Sequence, residues 1–167
     1  MNILIIGTAY PLRGGLAHYN ALLAAHLRQH HNVDVITFKR QYPNFLFPGK
    51  SQQETGDAGN PLKSEQLIDS INPLNWIRVG LQLRRRKPDI VIFKYWLPFF
   101  GPCFGTICRI IRWRRSVRII AICDNVIPHE HRLGDQLFTR YAFGAVDAFI
   151  VQSDSVERDL KSIVKDP

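Results

Sequence analysis

Residues 1–29 read MNILIIGTAYPLRGGLAHYNALLAAHLRQ and set the fold expected for the rest of the chain. Ile3–Ile6 is continuously apolar, as a strand buried on both faces of a parallel sheet requires. A glycine-containing turn, Gly7–Gly15, follows the strand. Leu16–Gln29 then carries four apolar side chains at helical spacing, Leu16, Tyr19, Leu23 and Leu27. A strand, a glycine turn and a helix in this order are typical of the first unit of a parallel α/β sheet.

The same alternation continues along the chain. Further apolar runs that predict strands are Val33–Phe38, Ile90–Phe93, Arg118–Cys123 and Ala148–Val151. Helices are predicted over Pro73–Arg86, with Leu74, Ile77 and Leu81 as the apolar face, and near Phe104–Arg115, with Phe104, Ile107, Cys108 and Ile111 towards the sheet. Two further helices are predicted over Asp135–Gly144 and Ser155–Val164. The pattern predicts one α/β domain over residues 1–167: a Rossmann-like, doubly wound, mostly parallel sheet with helices on both faces. Right-handed crossovers then bring the carboxyl ends of all strands to one edge, where such folds bind ligands.

One segment does not fit this alternation. Gln41–Ser64 is rich in Pro, Gly, Asn and Gln, and we interpret it as a functional or disordered loop.

Composition restricts the class of protein. The 167 residues include 22 Lys and Arg against 14 acidic residues, a net charge of +8, which suits anionic partners without choosing among them. Three cysteines without a CxxC pair predict small buried side chains rather than a metal site or disulfides. The N-terminus has no signal-peptide pattern, and no stretch has the 18 or so apolar residues of a membrane span. We therefore expect a cytoplasmic protein.

The glycine turn is the first candidate ligand site. Gly14 and Gly15 let the backbone approach a phosphate, and the helix from Leu16 presents unpaired N–H groups to an anion. The alternative is a tight turn that merely requires glycine. The spacing is not that of the dinucleotide motif GxGxxG, although Lys39-Arg40 at the end of strand two leaves open a 2′-phosphate-binding oxidoreductase.

The second candidate is the polar cluster after the strand Arg118–Cys123. Asp124, Asn125, His129 and Glu130 follow the carboxyl end of a buried strand, where doubly wound folds place ligand groups. The alternative reading makes Asp124 and Asn125 turn formers and His129 a solvated loop residue.

A basic, aromatic surface is the third candidate. Ten Lys or Arg residues and one acidic residue lie between residues 84 and 118. In the helix near Phe104–Arg115, the side chains expected opposite the sheet are Arg109, Ile110, Arg112 and Trp113. Such a face suits an anionic membrane surface, and a solvated charged face is the alternative. Nucleic acid is not expected, because no stacking platform accompanies the charge.

Five segments together resemble the N-terminal domain of family-4 glycosyltransferases of the GT-B type. They are ILIIGTAYPLRGGLAHYN, FKRQYPNFLFPGK, PDIVIFKYW, CDNVIPHE and DAFIVQSDSVERDL, in residues 3–20, 38–50, 88–96, 123–130 and 147–160. The resemblance implies two Rossmann-like domains, of which the N-terminal one binds the acceptor and the C-terminal one the nucleotide-sugar donor. It also implies transfer with retention of anomeric configuration, with no cofactor and no metal.

The resemblance further implies roles for particular residues. Gly14, Gly15 and Leu16 would border the donor diphosphate, and their amides would stabilise charge on the leaving group. The family commonly has a His at the rim of the fourth predicted strand, where this chain has Asp124, so the catalytic candidates are Asp124 and His129. Candidates for contacting the acceptor or the sugar are Tyr10, Arg13, Lys94, Trp96, Asn125 and Glu130.

No second Rossmann pattern follows residue 164, so we expect transfer only together with a donor-binding domain. The expected acceptor is a glycan or lipid-linked molecule of envelope polysaccharide synthesis, at the inner face of the plasma membrane. The alternatives are a non-catalytic binding module of a split glycosyltransferase and, less favoured, the oxidoreductase.

Overall fold

A computed structural model describes residues 1–12, 14–43, 63–127 and 133–164. Its strands are β1 (Asn2–Ile6), β2 (Asn32–Arg40), β3 (Ser64–Asp69), β4 (Ile90–Tyr95), β5 (Arg118–Cys123) and β6 (Ala148–Val151). Its helices are α1 (Gly15–Leu27), α2 (Pro73–Arg84), α3 (Gly101–Arg112), α4 (Asp135–Phe143) and α5 (Asp154–Ile163). The six strands form one sheet in the order β3-β2-β1-β4-β5-β6, and every neighbouring pair is parallel. The predicted Rossmann-like α/β fold is confirmed.

The strand order locates the binding edge of the sheet. The chain builds β1, β2 and β3 towards one side and then β4, β5 and β6 towards the other. The direction of winding therefore reverses between β1 and β4, which are hydrogen-bonded neighbours with Ile6 opposite Phe93. In doubly wound sheets the crevice at the carboxyl ends of such a strand pair is the usual ligand site.

The two faces of the sheet are packed differently. The face that α1 covers holds mainly aliphatic side chains, including Ile3, Ile5 and Ala24. The opposite face packs against the other helices and contains a larger core with many aromatic rings, among them Phe93 and Phe104, whose ring centroids are 5.0 Å apart. Because β1 and β4 are covered on both faces, their apolar residues do not alternate with polar ones.

The sheet has one strand more than the sequence predicts. β3 begins inside the segment interpreted as an irregular loop, and its first residues, Ser64, Glu65 and Gln66, are polar. They are tolerated because β3 is an edge strand, so only its inner end needs apolar contacts, and Ile68 there is fully buried. β6 is the other edge, and its Ile150 is 48% exposed rather than buried as expected.

The apolar face predicted for α2 is not the face that the fold buries. Leu74, Ile77 and Leu81 are 78%, 44% and 42% exposed, whereas Val79 and Leu83 on the opposite side are buried. The reason is a close approach of α3 to Gly80, where a Cβ atom would lie only 2.9 Å from the side chain of Ile110. The helix has two apolar faces, and only the one with the glycine can pack closely against another helix.

The three cysteines lie in the core, as the sequence predicts. Cys103, Cys108 and Cys123 are all free and buried. Burial raises the pKa of the Cys108 and Cys123 thiols to about 12. Both side chains therefore stay protonated and pack as small apolar groups.

Candidate functional site

The turn after β1 is held against the sheet by buried hydrogen bonds. The amide of Gly7 donates to the carbonyl of Ile36 at 3.0 Å, and the side-chain amide of Asn20 donates to the carbonyl of Thr8 at 2.9 Å. A Cβ at Gly7 would lie 3.0 Å from that same Asn20 nitrogen, so the bond requires a glycine here. The turn and the second turn of α1 therefore form one rigid unit.

The amino end of α1 is open. Gly14 precedes the helix with φ 114°, a conformation that other residues rarely adopt, and no side chain of the described residues caps the helix. Gly14 and Gly15 are exposed, and a Cβ at either would meet no described atom within 4 Å. The amino end of α1 therefore lies at the carboxyl edge of β1, with its two glycines exposed. An uncapped helix end of this kind can accept an anion, and the roles expected of Gly14, Gly15 and Leu16 towards a diphosphate stay predictions.

A buried ion pair lies beside this turn. The ammonium of Lys94 in β4 is 2.8 Å from the carboxylate of Asp124, which follows β5. The same ammonium lies 3.4 Å from the centroid of the Tyr19 ring in α1. The Lys94 side chain is only 4% exposed, whereas that of Asp124 is 22% exposed. Lys94 thus connects the amino-terminal part of α1 to the end of β5.

The geometry changes the role expected of Lys94. The sequence predicts an acceptor- or sugar-contacting side chain, but this ammonium is enclosed by Tyr19 and Asp124. The ammonium of Lys94 is therefore placed to hold and neutralise Asp124 rather than to contact a ligand directly. The partly exposed carboxylate of Asp124 is the group of the pair that can contact a ligand.

The other predicted site residues are placed less closely together. Asn125 is half-buried beside Asp124, and Tyr10 is half-buried in the glycine turn, where its carbonyl accepts a hydrogen bond from the Ser64 hydroxyl. Trp96 is half-buried, packs in a tilted arrangement against Phe100 with ring centroids 4.5 Å apart, and donates its indole N–H to the Tyr42 hydroxyl at 3.2 Å. The contacts of the Trp96 side chain are therefore mainly with the aromatic core. Arg13, His129 and Glu130 lie outside the described residues.

Three residues of this site were missed by the sequence analysis: Thr8, Tyr19 and Asn20. Thr8 is 2% exposed, and its hydroxyl finds no hydrogen-bond partner within the described ranges. The importance of Asn20 could have been predicted from the sequence, because it is a polar residue between Ala17 and Ala24 on the buried face of α1. A buried polar side chain on an otherwise apolar face requires a partner, here the glycine turn.

The basic face predicted on α3 is not formed as expected. Ile110 packs against Gly80, the guanidinium of Arg109 lies 4.1 Å from the centroid of the Tyr141 ring, and Arg112 pairs with Asp147. All three side chains are half-buried: Ile110 lies against α2, Arg109 against α4, and Arg112 against the residue that precedes β6. Only Trp113, at the end of the helix, is exposed, at 58%.

Arg40, at the end of β2, bears on the oxidoreductase alternative. Its guanidinium forms two hydrogen bonds with the carboxylate of Asp69. At the position where a 2′-phosphate would be bound, the guanidinium of Arg40 is therefore already paired with Asp69.

No helix in the parts of the chain that the structure describes is long and apolar enough to cross a membrane.

The fold is that of a Rossmann-like α/β domain with a candidate ligand site at the carboxyl edge of its sheet, and comparison with known proteins identifies the family. The family model described as Glycosyltransferase Family 4 matches residues 13–166. The chain therefore belongs to glycosyltransferase family 4. A search of curated protein sequences gives no significant match.

Solved structures agree with this assignment at the level of fold. An alpha-glucosyltransferase solved with UDP and a mismatched 13-mer DNA is similar with a TM-score of 0.57 and 14% identity, over 95% of this chain and 39% of that one. Sucrose-phosphate synthase from Thermosynechococcus elongatus is similar with a TM-score of 0.55 and 12% identity, over 99% of this chain and 84% of that one. This chain thus spans less than half the length of the alpha-glucosyltransferase. Its fold is that of one Rossmann-like half of a GT-B glycosyltransferase.

Proposed function

We propose that this chain is the acceptor-side half of a retaining glycosyltransferase that moves a sugar from a nucleotide-diphosphate donor to a glycan or lipid-linked acceptor. A donor-binding domain, in the same or another polypeptide, would supply most contacts to the nucleotide. The observation that carries the proposal is the convergence at one sheet edge of the open amino end of α1 and the Lys94–Asp124 pair. The family and the UDP bound to the similar alpha-glucosyltransferase support a nucleotide-diphosphate leaving group.

The two parts of the site would act on different parts of the donor. The first amides of α1, with the positive end of the helix dipole, would stabilise the charge that develops on the diphosphate as the glycosidic bond breaks. The Asp124 carboxylate would accept a hydrogen bond from a sugar hydroxyl and so orient the donor sugar. Both interactions gain strength in a transition state that separates charge, which is the requirement for catalysis.

The ion pair explains how a carboxylate can lie beside a diphosphate. At about 7 Å and an effective dielectric constant of about 20, two like charges repel by about 2 kcal/mol. The ammonium of Lys94, at 2.8 Å, cancels the charge of Asp124. A neutral pair can then offer an acceptor oxygen to the sugar without repelling the leaving group.

A reconstituted transfer assay tests this proposal. The chain is mixed with the donor-binding domain of a family-4 glycosyltransferase, supplied as a separate polypeptide, and with radiolabelled UDP-sugars and extracted membrane lipids and glycans. We expect radiolabel in the acceptor fraction only when both polypeptides are present. Asp124→Asn should lower the rate about ten- to hundredfold, because one hydrogen bond to a charged group contributes a factor of about this size.

The matched control is Glu157→Gln, because Glu157 forms an exposed ion pair with Lys161 on α5, the helix that follows the outermost strand β6 rather than β1 or β4. This variant should keep the full transfer rate. Association of the two polypeptides without any transfer would contradict the proposal and favour a non-catalytic assembly module. An equal rate for Asp124→Asn and the unaltered chain would remove Asp124 from the mechanism.

A further inference from the structure

The exposed face of α2 is an apolar feature that neither the fold nor the edge site uses. Leu74, Ile77 and Leu81 follow one another at helical spacing and are 78%, 44% and 42% exposed. They line a shallow groove of about 470 Å³ together with Arg78, Gln82 and Arg85. Three large apolar side chains in one stripe need an explanation that scattered exposed residues do not.

The charge around the stripe is uniformly positive. Arg78 and Arg85 are exposed on the same side of the helix as Leu74 and Leu81. Residues 72–88 contain no Asp or Glu. A surface that combines an apolar stripe with cations only is complementary to a partner that is apolar inside and anionic outside.

Trp113 extends this surface at one flank. Arg84 follows Leu81 by three residues and is therefore its neighbour on the helix, and the Arg84 guanidinium lies 5.5 Å from the centroid of the Trp113 ring. The guanidinium of Arg114 lies 5.7 Å from the centroid of the same ring. An exposed tryptophan beside two arginines is suited to the headgroup layer of a bilayer.

We propose that the α2 face, formed by Leu74, Ile77, Leu81, Arg78, Arg85 and Trp113, binds the surface of an anionic phospholipid bilayer. The helix would lie in the plane of the interface, with its leucine and isoleucine side chains among the acyl chains and its arginines at the phosphates. This surface replaces the α3 face expected from the sequence and shares only Trp113 with it. Since β3 ends at the carboxyl edge of the sheet, α2 begins near the candidate site, and a lipid-linked acceptor in that bilayer would be within reach.

The inference does not depend on sugar transfer, so binding is measured with the chain alone. The probe is co-sedimentation with vesicles of phosphatidylcholine containing about a third phosphatidylglycerol, compared with pure phosphatidylcholine. We expect binding to the anionic vesicles at low salt and its loss near 0.5 M salt, where surface charges are screened within about 5 Å. The fluorescence of Trp113 should shift to shorter wavelength on binding, and Trp113→Phe should lose that shift.

Two double variants distinguish binding through this face from nonspecific electrostatic or hydrophobic binding. Ile77→Gln with Leu81→Gln should weaken partitioning at least about tenfold, because the inserted apolar area is lost. Arg78→Gln with Arg85→Gln should weaken it about thirtyfold, since each basic side chain at an anionic surface contributes a factor of about five. The controls are Leu137→Gln and Arg140→Gln on α4, whose Leu137 is 68% exposed, and both should bind as the unaltered chain does.

Thermal unfolding of each variant checks that the fold is intact, as expected for exposed positions. Equal weakening by the α4 controls and the α2 variants would overturn the proposal, as would undiminished binding to pure phosphatidylcholine. A dimer in sedimentation equilibrium that Leu81→Gln dissociates, with no binding to anionic vesicles, would show that a second copy of the chain covers this face instead.

Discussion

Replacing Lys94 by methionine should show how much the Lys94–Asp124 ion pair contributes to the stability of the fold. Methionine keeps the length and apolar stem of lysine but removes the ammonium that lies 2.8 Å from the Asp124 carboxylate. Breaking a fully buried ion pair by removing one partner costs about 3–5 kcal/mol. Because Asp124 is 22% exposed and keeps some hydration, we expect a smaller loss of about 2–3 kcal/mol. At about 2–4 °C per kcal/mol for a chain of this size, the melting temperature should fall by about 5–10 °C.

A double-mutant cycle isolates the pair from the rest of the site. Asp124→Leu alone should cost a similar amount, because it leaves the Lys94 ammonium, only 4% exposed, without its carboxylate. Lys94→Met combined with Asp124→Leu should lie within about 1 kcal/mol of the unaltered chain, since no uncompensated charge remains. The free energies of unfolding come from urea titrations monitored by circular dichroism.

Additive effects would refute this reasoning. If the double variant is destabilised by the sum of the two single losses, to within about 0.5 kcal/mol, the two side chains are not coupled. The control is Lys161→Met, which breaks the exposed Lys161–Glu157 pair of α5 and should change stability by less than about 0.5 kcal/mol.

Gly14→Ala should cost about 1–3 kcal/mol in urea unfolding, because φ 114° at this position strains any residue with a Cβ even though the space is open. Leu83→Ala should cost about 2–5 kcal/mol, since it opens a cavity in the core, whereas Leu74→Ala, on the exposed face of the same helix, should change stability by less than about 0.5 kcal/mol. The hydrogen bond from Arg86 lowers the pKa of Glu65, so this contribution to stability is present above pH 5 and is lost as the pH falls through the folded-state pKa. Melting curves between pH 7 and pH 3 should accordingly show a shallower decline for Glu65→Gln, by at most about 1 kcal/mol because the pair is partly exposed.

Matched controls accompany two of these tests. Gly15→Ala changes a neighbouring glycine that has no positive φ, and alanine is the better helix former, so this variant should be neutral or slightly stabilising. A loss at Gly15 equal to that at Gly14 would contradict the backbone explanation. Equal losses for Leu74→Ala and Leu83→Ala would contradict the orientation of α2.

The sequence predicted the central strands and the edge strand β6, and it missed the other edge strand, β3. β1, β2, β4 and β5 contain nearly continuous apolar runs, so their composition alone indicates them. β3 begins with polar residues and is a strand only because the edge of β2 offers unpaired backbone groups, which is a property of the assembled sheet. Packing in the assembled fold also decides which side of α2 is buried. The helix has two apolar faces, and the close approach of α3 to Gly80 selects the buried one.

The site was predicted in part. Gly14, Gly15 and Asp124 were found because glycine before a helix and polar residues after a buried strand are local patterns. Their roles towards a donor stay predictions, as do those of Arg13, His129 and Glu130. Tyr19 was taken only for an apolar position of α1, and its contact with Lys94 depends on how that helix lies across the sheet.

The sequence by itself determined the class of fold, because burial on both faces of a sheet leaves a continuous apolar signature in each central strand. It also determined that glycines precede the first helix and that an acid follows the fifth strand. Only the tertiary structure decided that β4 lies beside β1, and so brought the ammonium of Lys94 between α1 and Asp124. Strand order is set by which crossovers pack best over the whole sheet, and no local stretch of residues carries that information.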